Sequence, residues 1–151
     1  MDQYRLDNVV DCVEMQPHLA HQLEAERVYG RVICADFLSL RPDMSRLYDR
    51  VVMNPPFDRE RDIDHVVHAL KFLKPDGQLV AIMSAGTEFR QSKKAIAFRN
   101  LMEDLGAEWK DLPPNSFADV GTYVNTGFIT VWKNGRKKTG RYDRPTWPKV
   151  G

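Results

Sequence analysis

The chain has few of the features that mark secreted, membrane or metal-binding proteins. Only two of its 151 residues are cysteines, Cys12 and Cys34, and they lack Cys-x-x-Cys spacing. No apolar run approaches the roughly 20 residues that span a bilayer, and no signal-peptide pattern opens the sequence. These absences predict a single-domain cytoplasmic protein with buried, reduced thiols and no membrane partner.

Glycine pairs and metal-ligand sets are also missing. The nine glycines never form a Gly-x-Gly pattern, so the glycine-rich turn of nucleotide-binding folds is absent. His65 and His68 lie three residues apart on a predicted helix, but no cysteine or carboxylate set completes a metal site. We therefore expect no metal and a solvent-facing histidine pair.

Charge is balanced in total and uneven along the chain. The net charge is +1, yet residues 134–151 contain six basic residues and one acid, which gives this tail +5 and leaves −4 for the rest. Such a tail can add sequence-independent affinity for phosphates. A solvated terminus with no ligand is the alternative interpretation.

Short apolar runs alternate with helical stretches, which predicts an α/β fold with a mostly parallel sheet. The last two strands are expected to be antiparallel, because the loop over residues 113–124 has no crossover helix. Gly30 is expected to end the first helix, and residues 74–77 to form a turn. Strands are predicted at residues 9–13, 31–34, 49–53, 78–83, 108–112 and 125–132, and helices at 17–29, 63–73 and 95–105.

A stiff loop follows the third predicted strand. Pro55 and Pro56 have no N–H group and a fixed φ, so their positions offer carbonyl acceptors without donors. Asn54 adds a side-chain acceptor, and Phe57 adds an aromatic face. An ordinary turn is possible here too, but the combination suits a planar substrate that carries an NH2 group.

Acceptors at such a loop would make an unreactive amine reactive. The exocyclic nitrogen of adenine is a poor nucleophile because its lone pair is delocalised into the ring. Accepting hydrogen bonds from both of its N–H groups localises that pair, which is electrostatic preorganisation at the reacting atom. Phe57 could stack on the base once the base leaves its duplex. The pattern therefore predicts transfer to an amino nitrogen from a strong electrophile.

Polar side chains end three consecutive predicted strands: Glu14, Asp36 and Asn54. Ligands of open α/β sheets bind outside the carboxyl ends of the strands, where an acid can bind the two hydroxyls of a ribose. An aspartate followed by an aromatic residue, here Phe37, can accept from an adenine amino group and flank its ring. Each acid alone is also consistent with a helix cap or a turn. Together they predict a nucleoside pocket.

On these residues the chain resembles class I S-adenosylmethionine-dependent methyltransferases, and within them the N6-adenine DNA methyltransferases of bacterial and phage modification systems. The resemblance covers about residues 6–133. Its most specific part is the Asn-Pro-Pro-Phe motif at residues 54–57. Further matches lie at residues 10–14, 34–37, 62–65, 74–80, 116–117, 121–122 and 125–126.

The resemblance implies a Rossmann-like methyltransferase sheet, S-adenosyl-L-methionine as cofactor and DNA as partner. It implies restriction-modification as the setting. The implied catalytic residues are Asn54, Pro55, Pro56 and Phe57. The implied cofactor-binding residues are Glu14, Met15, Asp36, Phe37 and Asn54.

One part of the family pattern is missing from the sequence. The family begins with a strand and a glycine-rich turn, and that strand lies in the centre of the sheet. We therefore expect a sheet without the usual first strand, with two unpaired edges where it would lie. This predicts a partial catalytic domain at residues 1–133 and a basic tail at residues 134–151, completed by a partner chain or a preceding segment.

Other substrates and roles stay open at this point. The same loop could bind an exocyclic amine of ribosomal RNA or the side-chain amide of a protein glutamine. Without the glycine-rich turn, the chain could also be an inactive fragment or a subunit that needs a partner.

Overall fold

A computed structural model describes residues 9–113 and 126–135 of the chain. The chain consists of two compact units, a smaller one over Met1–Arg41 and a larger one over Pro42–Gly151. Each unit has its own sheet, so each is described by itself.

The smaller unit is a strand–helix–strand element. Strand β1 covers Asp11–Glu14, helix α1 covers Pro17–Ala25, and strand β2 covers Arg31–Cys34. The two strands are parallel, with Glu14 opposite Cys34, and α1 packs against both of them. Pro17 occupies the first turn of α1, where its missing N–H has no intrahelical partner to lose.

Helix α1 is shorter than predicted, and Gly30 does not end it. The helix stops at Ala25, and Arg27 has left-handed backbone with φ of 53°. Gly30 instead lets the chain pass close to β1: its N–H donates to the Val10 carbonyl at 2.8 Å, and a Cβ there would lie 2.4 Å from Val9 Cγ1. Gly30 is therefore required by the close approach of its backbone to the start of β1. The spacing of apolar residues does not distinguish such a glycine from one that ends a helix.

The larger unit is a mixed four-stranded sheet with two helices. Its order is β3-β4-β6-β5, where β3 and β4 are parallel while β6 is antiparallel to both β4 and β5. This confirms the predicted α/β class with an antiparallel C-terminal pair. The elements are β3 (Tyr48–Met53), α2 (Arg61–Ala69), β4 (Leu73–Ser84), α3 (Lys93–Asp104), β5 (Glu108–Asp111) and β6 (Thr126–Trp132).

The core of the larger unit lies between the sheet and its helices. Every second residue of β4 is buried between Gly77 and Met83. Along α2 and α3 the buried residues are mostly three or four positions apart, so they share one face of each helix. Each large apolar side chain buried there stabilises the fold by roughly 1.5–3 kcal/mol. The buried apolar residues include Leu79, Ala81, Met83, Ile129 and Val131 from the strands, and Ile63, Val66, Ala95, Phe98 and Met102 from the helices.

The turn predicted at residues 74–77 lies inside β4 as an irregularity. Tyr48 is opposite Leu73 and Arg50 is opposite Gln78, so four residues of β4 face one residue of β3. Gly77 is needed there because a Cβ would lie 2.9 Å from Leu73 Cβ. The helix predicted to reach residue 73 ends earlier, at Ala69, and a 3-10 turn follows it.

The strands expected to flank the absent strand, β1 and β3, each have an unpaired edge in the part of the chain that the structure describes. Within the described residues, β1 has only β2 as a hydrogen-bonded neighbour and β3 has only β4, and the two pairs belong to separate sheets. Val52 in the middle of β3 is 82% exposed, which is unusual for a strand residue of this type. Both edges expected from the sequence are therefore present.

Several predictions about single segments are corrected or lie outside the described residues. Cys34 is exposed and Cys12 is half-buried, so the prediction of buried thiols is wrong for Cys34. None of the described helices is long and apolar enough to cross a membrane. Most of the predicted loop (residues 114–124) and most of the basic tail (residues 136–151) are outside the described part of the chain.

Gly127 in β6 offers a test of the packing of β5. An added Cβ would lie 2.8 Å from the Trp109 ring, which is held by its Nε1–Asp111 Oδ1 hydrogen bond of 3.0 Å. We expect Gly127→Ala to lower the free energy of unfolding by about 1–3 kcal/mol, measured by urea denaturation. Gly86→Ala is the control, because its Cβ would meet only the flexible end of Arg90 at 3.2 Å. Equal stability of the two variants would contradict this account of the packing.

Candidate active site

In the smaller unit, the two candidate cofactor acids lie at the same edge of the sheet. Because β1 and β2 are parallel and in register, Glu14 ends the first strand level with Cys34, and Asp36 follows two residues later. Met15 is 58% exposed at this edge, and its carbonyl accepts from the Cys34 thiol at 3.8 Å. The structure thus brings the predicted nucleoside-binding residues of this unit together.

Both acids also perform the local role that was the alternative interpretation. Glu14 Oε1 accepts from the Gln16 N–H at 2.9 Å, and Asp36 Oδ1 accepts from the Leu38 N–H at 3.0 Å. The second bond caps a 3-10 turn that begins at Phe37, whose ring is half-buried. Each of these bonds uses one oxygen of a carboxylate that has two, so a cap and a ligand contact are compatible.

In the larger unit, residues 54–57 form the segment that we call the acceptor loop. It follows β3 directly, after Met53, which is level with Ala81 of β4. Asn54 and Pro56 are exposed, Pro55 is buried and Phe57 is half-buried. Burial of Pro55 anchors the loop, while the amide of Asn54 stays accessible to a ligand.

The acceptor loop shares its edge of the sheet with the ends of two other strands. Since β3 and β4 are parallel and β5 runs in the same direction through its antiparallel pairing with β6, Asn54, Ser84 and Asp111 all lie at or just beyond carboxyl ends. This is the edge at which ligands of α/β sheets bind.

Asp62 lies within the matching segment 62–65, and its burial was not predicted from the sequence. It lies in the first turn of α2 and is fully buried, and among the described residues no other Asp, Glu, Lys or Arg is buried as a whole residue. Oδ1 accepts from the Ile63 N–H at 3.0 Å, and Oδ2 accepts from the Ser84 N–H at 3.1 Å. Burial raises the pKa of Asp62, and these two N–H groups oppose that rise.

No local pattern in the sequence predicts the burial of Asp62. Acids are common in the first turn of a helix because they favour the positive end of its dipole, so this position does not distinguish a buried Asp62 from an exposed one. Its partner Ser84 lies 22 residues later in the chain, and no local pattern joins the two.

Glu88 and Asp111 form a second group of acids at this edge. Burial, followed by the nearby Asp111 carboxylate, raises the pKa of Glu88 to about 7, while a hydrogen bond from Trp109 opposes the rise. Trp109 Nε1 also donates to Asp111 Oδ1 at 3.0 Å. Glu88 is therefore a carboxyl that changes charge near neutral pH.

The described residues include no group of three or more potential metal ligands. His65 and His68 are half-buried, and His68 packs edge-on against Phe72 with ring centroids 5.2 Å apart. The predicted solvent-facing pair is thus partly wrong, because α2 turns this side toward Phe72.

Comparison with solved structures identifies the fold. The EcoKI M protein of a type I restriction enzyme matches with a TM-score of 0.63 and 15% identity over 82% of this chain and 30% of that one. A chain of another type I restriction-modification system matches with a TM-score of 0.56 and 26% identity over 72% of this chain and 26% of that one. Neither a protein-family model nor a curated protein matches the sequence.

A methyltransferase of a different kind has the same fold. The plantazolicin methyltransferase BpumL, whose crystal structure contains SAH, matches with a TM-score of 0.55 and 13% identity over 85% of this chain and 68% of that one. The chain spans less than a third of the length of the two type I chains. These likenesses show that the chain has the fold of S-adenosylmethionine-dependent methyltransferases.

The raised pKa of Glu88 predicts how stability varies with pH. The folded state holds the Glu88 proton up to a pKa of about 7, against 4.5 ordinarily, so its contribution is full below pH 4.5 and is lost as pH rises through 7. We expect Glu88→Gln to gain about 1 kcal/mol over the wild type at pH 8, after solvent screening, and to match it at pH 4.5. Urea denaturation at both pH values measures this difference. A constant difference between the two proteins at all pH values would contradict the assignment.

Proposed function

We propose that this protein transfers a methyl group from S-adenosylmethionine to an exocyclic amino group, and that its substrate is adenine N6 in DNA. The observation that carries the proposal is the acceptor loop at the carboxyl end of a parallel strand in a methyltransferase fold. Ligands bind at that edge, and the loop presents acceptors to them without competing donors from its prolines.

The acceptor loop would bind and activate the amino group. The side-chain oxygen of Asn54 and the Pro55 carbonyl would accept the two N–H bonds of the amine, which localises the nitrogen lone pair. Phe57 would stack on the ring of a base that has left the duplex. Pro56 keeps the loop stiff, because its φ is fixed.

The smaller unit has hydrogen-bond acceptors that fit the nucleoside part of the cofactor. Glu14 would accept from the ribose hydroxyls, Asp36 would accept from the adenine amino group, and Phe37 and Met15 would contact the rings. Each carboxylate keeps an oxygen beyond the one used in its cap. The cofactor-binding role that the resemblance implies for Asn54 stays a prediction. When bound, S-adenosylmethionine supplies an electrophilic methyl group, so no covalent protein intermediate is needed.

DNA is the favoured substrate because two structural neighbours come from type I restriction-modification systems. For the same reason, we propose that the protein acts in restriction-modification. A base of ribosomal RNA or a protein glutamine is the alternative, since both present an amine or amide that the same loop could bind. BpumL illustrates that this fold also serves other substrates.

We also propose that activity requires one more strand, paired with the outer edge of β3. Within the described residues β3 has one hydrogen-bonded neighbour, and its Val52 is 82% exposed. A preceding segment or a partner chain that contains a strand and a Gly-x-Gly turn would cover this edge and hold the methionine part of the cofactor.

The need for an added strand is tested by calorimetry with S-adenosylmethionine. We expect this chain alone to bind the cofactor weakly, and a protein that includes the region encoded upstream of Met1 to bind it at least tenfold more tightly. Tight binding by this chain alone that the added region leaves unchanged would contradict the added-strand proposal and leave the acceptor-loop proposal unaffected. Equally weak binding by both proteins would assign the strand to a partner chain.

Substitution of Asn54 tests the catalytic assignment. We expect Asn54→Ala to lower methyl transfer by about 100-fold or more, the effect of removing one preorganised polar group, while cofactor affinity stays within a few-fold. Glu14→Ala should instead weaken cofactor binding by about tenfold or more, because it removes the charged acceptor of hydrogen bonds from the ribose hydroxyls. Transfer of labelled methyl groups and calorimetry measure the two effects.

Asn100→Ala is the matched control, since Asn100 is an exposed asparagine on α3. Its transfer rate should equal that of the wild type. Turnover by Asn54→Ala at the wild-type rate would refute the assignment. Labelling of DNA, RNA and protein in parallel identifies the substrate class, and label in RNA or protein alone would replace DNA in the proposal.

A further inference from the structure

The segment that joins the acceptor loop to α2 has an uncommon backbone. Arg59 and Glu60 are consecutive and both left-handed, with φ of 52° and 59°. Neither is glycine, so each carries a Cβ in a region that side chains disfavour. Such backbone persists only where surrounding contacts hold it, and it is found preferentially at functional sites.

Contacts from the segment after β4 hold this turn on its C-terminal side. Glu60 Oε2 accepts from the Ser92 hydroxyl at 3.0 Å, and that hydroxyl in turn accepts from the Ala95 N–H at the start of α3. Asp64 forms an ion pair with Lys94 at 3.0 Å, but both side chains are substantially exposed. An exposed pair of this kind contributes little.

The buried contact of Asp62 is of a different kind. Its carboxylate accepts from the backbone N–H of Ser84, the last residue of β4, and from the Thr87 hydroxyl at 3.4 Å. All three side chains are buried, so no water competes for these bonds. A buried carboxylate without such donors would be strongly unfavourable, so the position of α2 is tied to the end of β4.

We propose that Asp62 is a positioning residue for methyl transfer: by tying the first turn of α2 to Ser84, it keeps the left-handed turn in place and thereby holds the acceptor loop in its reactive geometry. The proposal rests on the proposed function, because it assigns the loop a geometry that matters for transfer. Asp62 does not contact the substrate. Its effect reaches the amine through Glu60, Arg59 and Phe57.

Asp62→Asn tests the proposal with little change in volume. The Ile63 and Ser84 N–H groups bond to different oxygens of Asp62, and an asparagine in the same rotamer places an NH2 donor opposite one of them, so one of the two bonds is lost. We expect kcat to fall at least tenfold while KM for S-adenosylmethionine changes less than threefold, in protein that circular dichroism shows to be folded at the assay temperature. Asp64→Asn, on the exposed side of the same helix, should keep both constants within twofold of the wild type.

Glycine at the left-handed position provides a rescue that a general loss of stability would not show. Arg59→Gly makes the turn favourable without the anchor, so it should restore at least threefold in kcat to Asp62→Asn. Arg27→Gly is the control, because Arg27 is equally left-handed, with φ of 53°, but belongs to the smaller unit. It should relieve similar strain and restore nothing.

Two further measurements keep the outcome clear. If Asp62→Asn does not fold, Thr87→Val removes one donor to the same carboxylate and should lower kcat twofold to fivefold. If the protein completed by the added strand transfers no methyl group to any substrate, the proposed function fails. The anchor is then judged by amide exchange: Phe57, Glu60 and Ser84 should exchange faster in Asp62→Asn and not in Asp64→Asn.

The following results would overturn the proposal. If the protein is active, a kcat of folded Asp62→Asn within twofold of the wild type would contradict the proposal. Equal restoration of kcat by Arg59→Gly and Arg27→Gly would contradict it as well. Where Thr87→Val is the variant used, an unchanged kcat counts against it. If the protein is inactive, amide exchange at Phe57 and Glu60 that is the same in Asp62→Asn and the wild type would also contradict the proposal.

Discussion

Parallel pairing of β3 with β4 is the constraint on which the larger unit depends. Two parallel strands cannot be joined by a tight turn, so the chain must leave the carboxyl edge after Met53 and cross back before Leu73. The acceptor loop occupies the start of that crossover. The prolines are tolerated there because the strand has ended and its ladder needs no further N–H donors.

The same constraint explains why a buried carboxylate is tolerated in this unit. Helix α2 begins shortly after the acceptor loop, and the end of β4 lies beside it with N–H groups that need acceptors. Asp62 satisfies the Ser84 N–H, and the donors around it offset the unfavourable burial of its charge. One buried contact therefore joins the start of α2 to the end of β4.

Local structure and ligand binding are also compatible at the edge of the smaller unit. Glu14 and Asp36 each cap a backbone N–H, as acids at strand ends commonly do, and each cap uses a single oxygen. A carboxylate held in this way has a defined direction before any ligand arrives. The two interpretations of these acids, as caps and as ligand groups, thus do not exclude each other.

Local rules in the sequence were sufficient for the α/β class, the antiparallel pair β5–β6 and the place of Asn54 after a strand, and the family resemblance predicted the unpaired edges of β1 and β3. Proline, alternation and strand-end acids act through neighbours in the chain, so a reader of the sequence can use them. Tertiary structure alone decided the close approach at Gly30, the burial of Asp62 and the raised pKa of Glu88. Each depends on a residue brought near by folding, across 20 or more positions of chain for Gly30 with Val9 and Asp62 with Ser84. Burial and long-range contact are properties of the packed chain, and no local spacing encodes them.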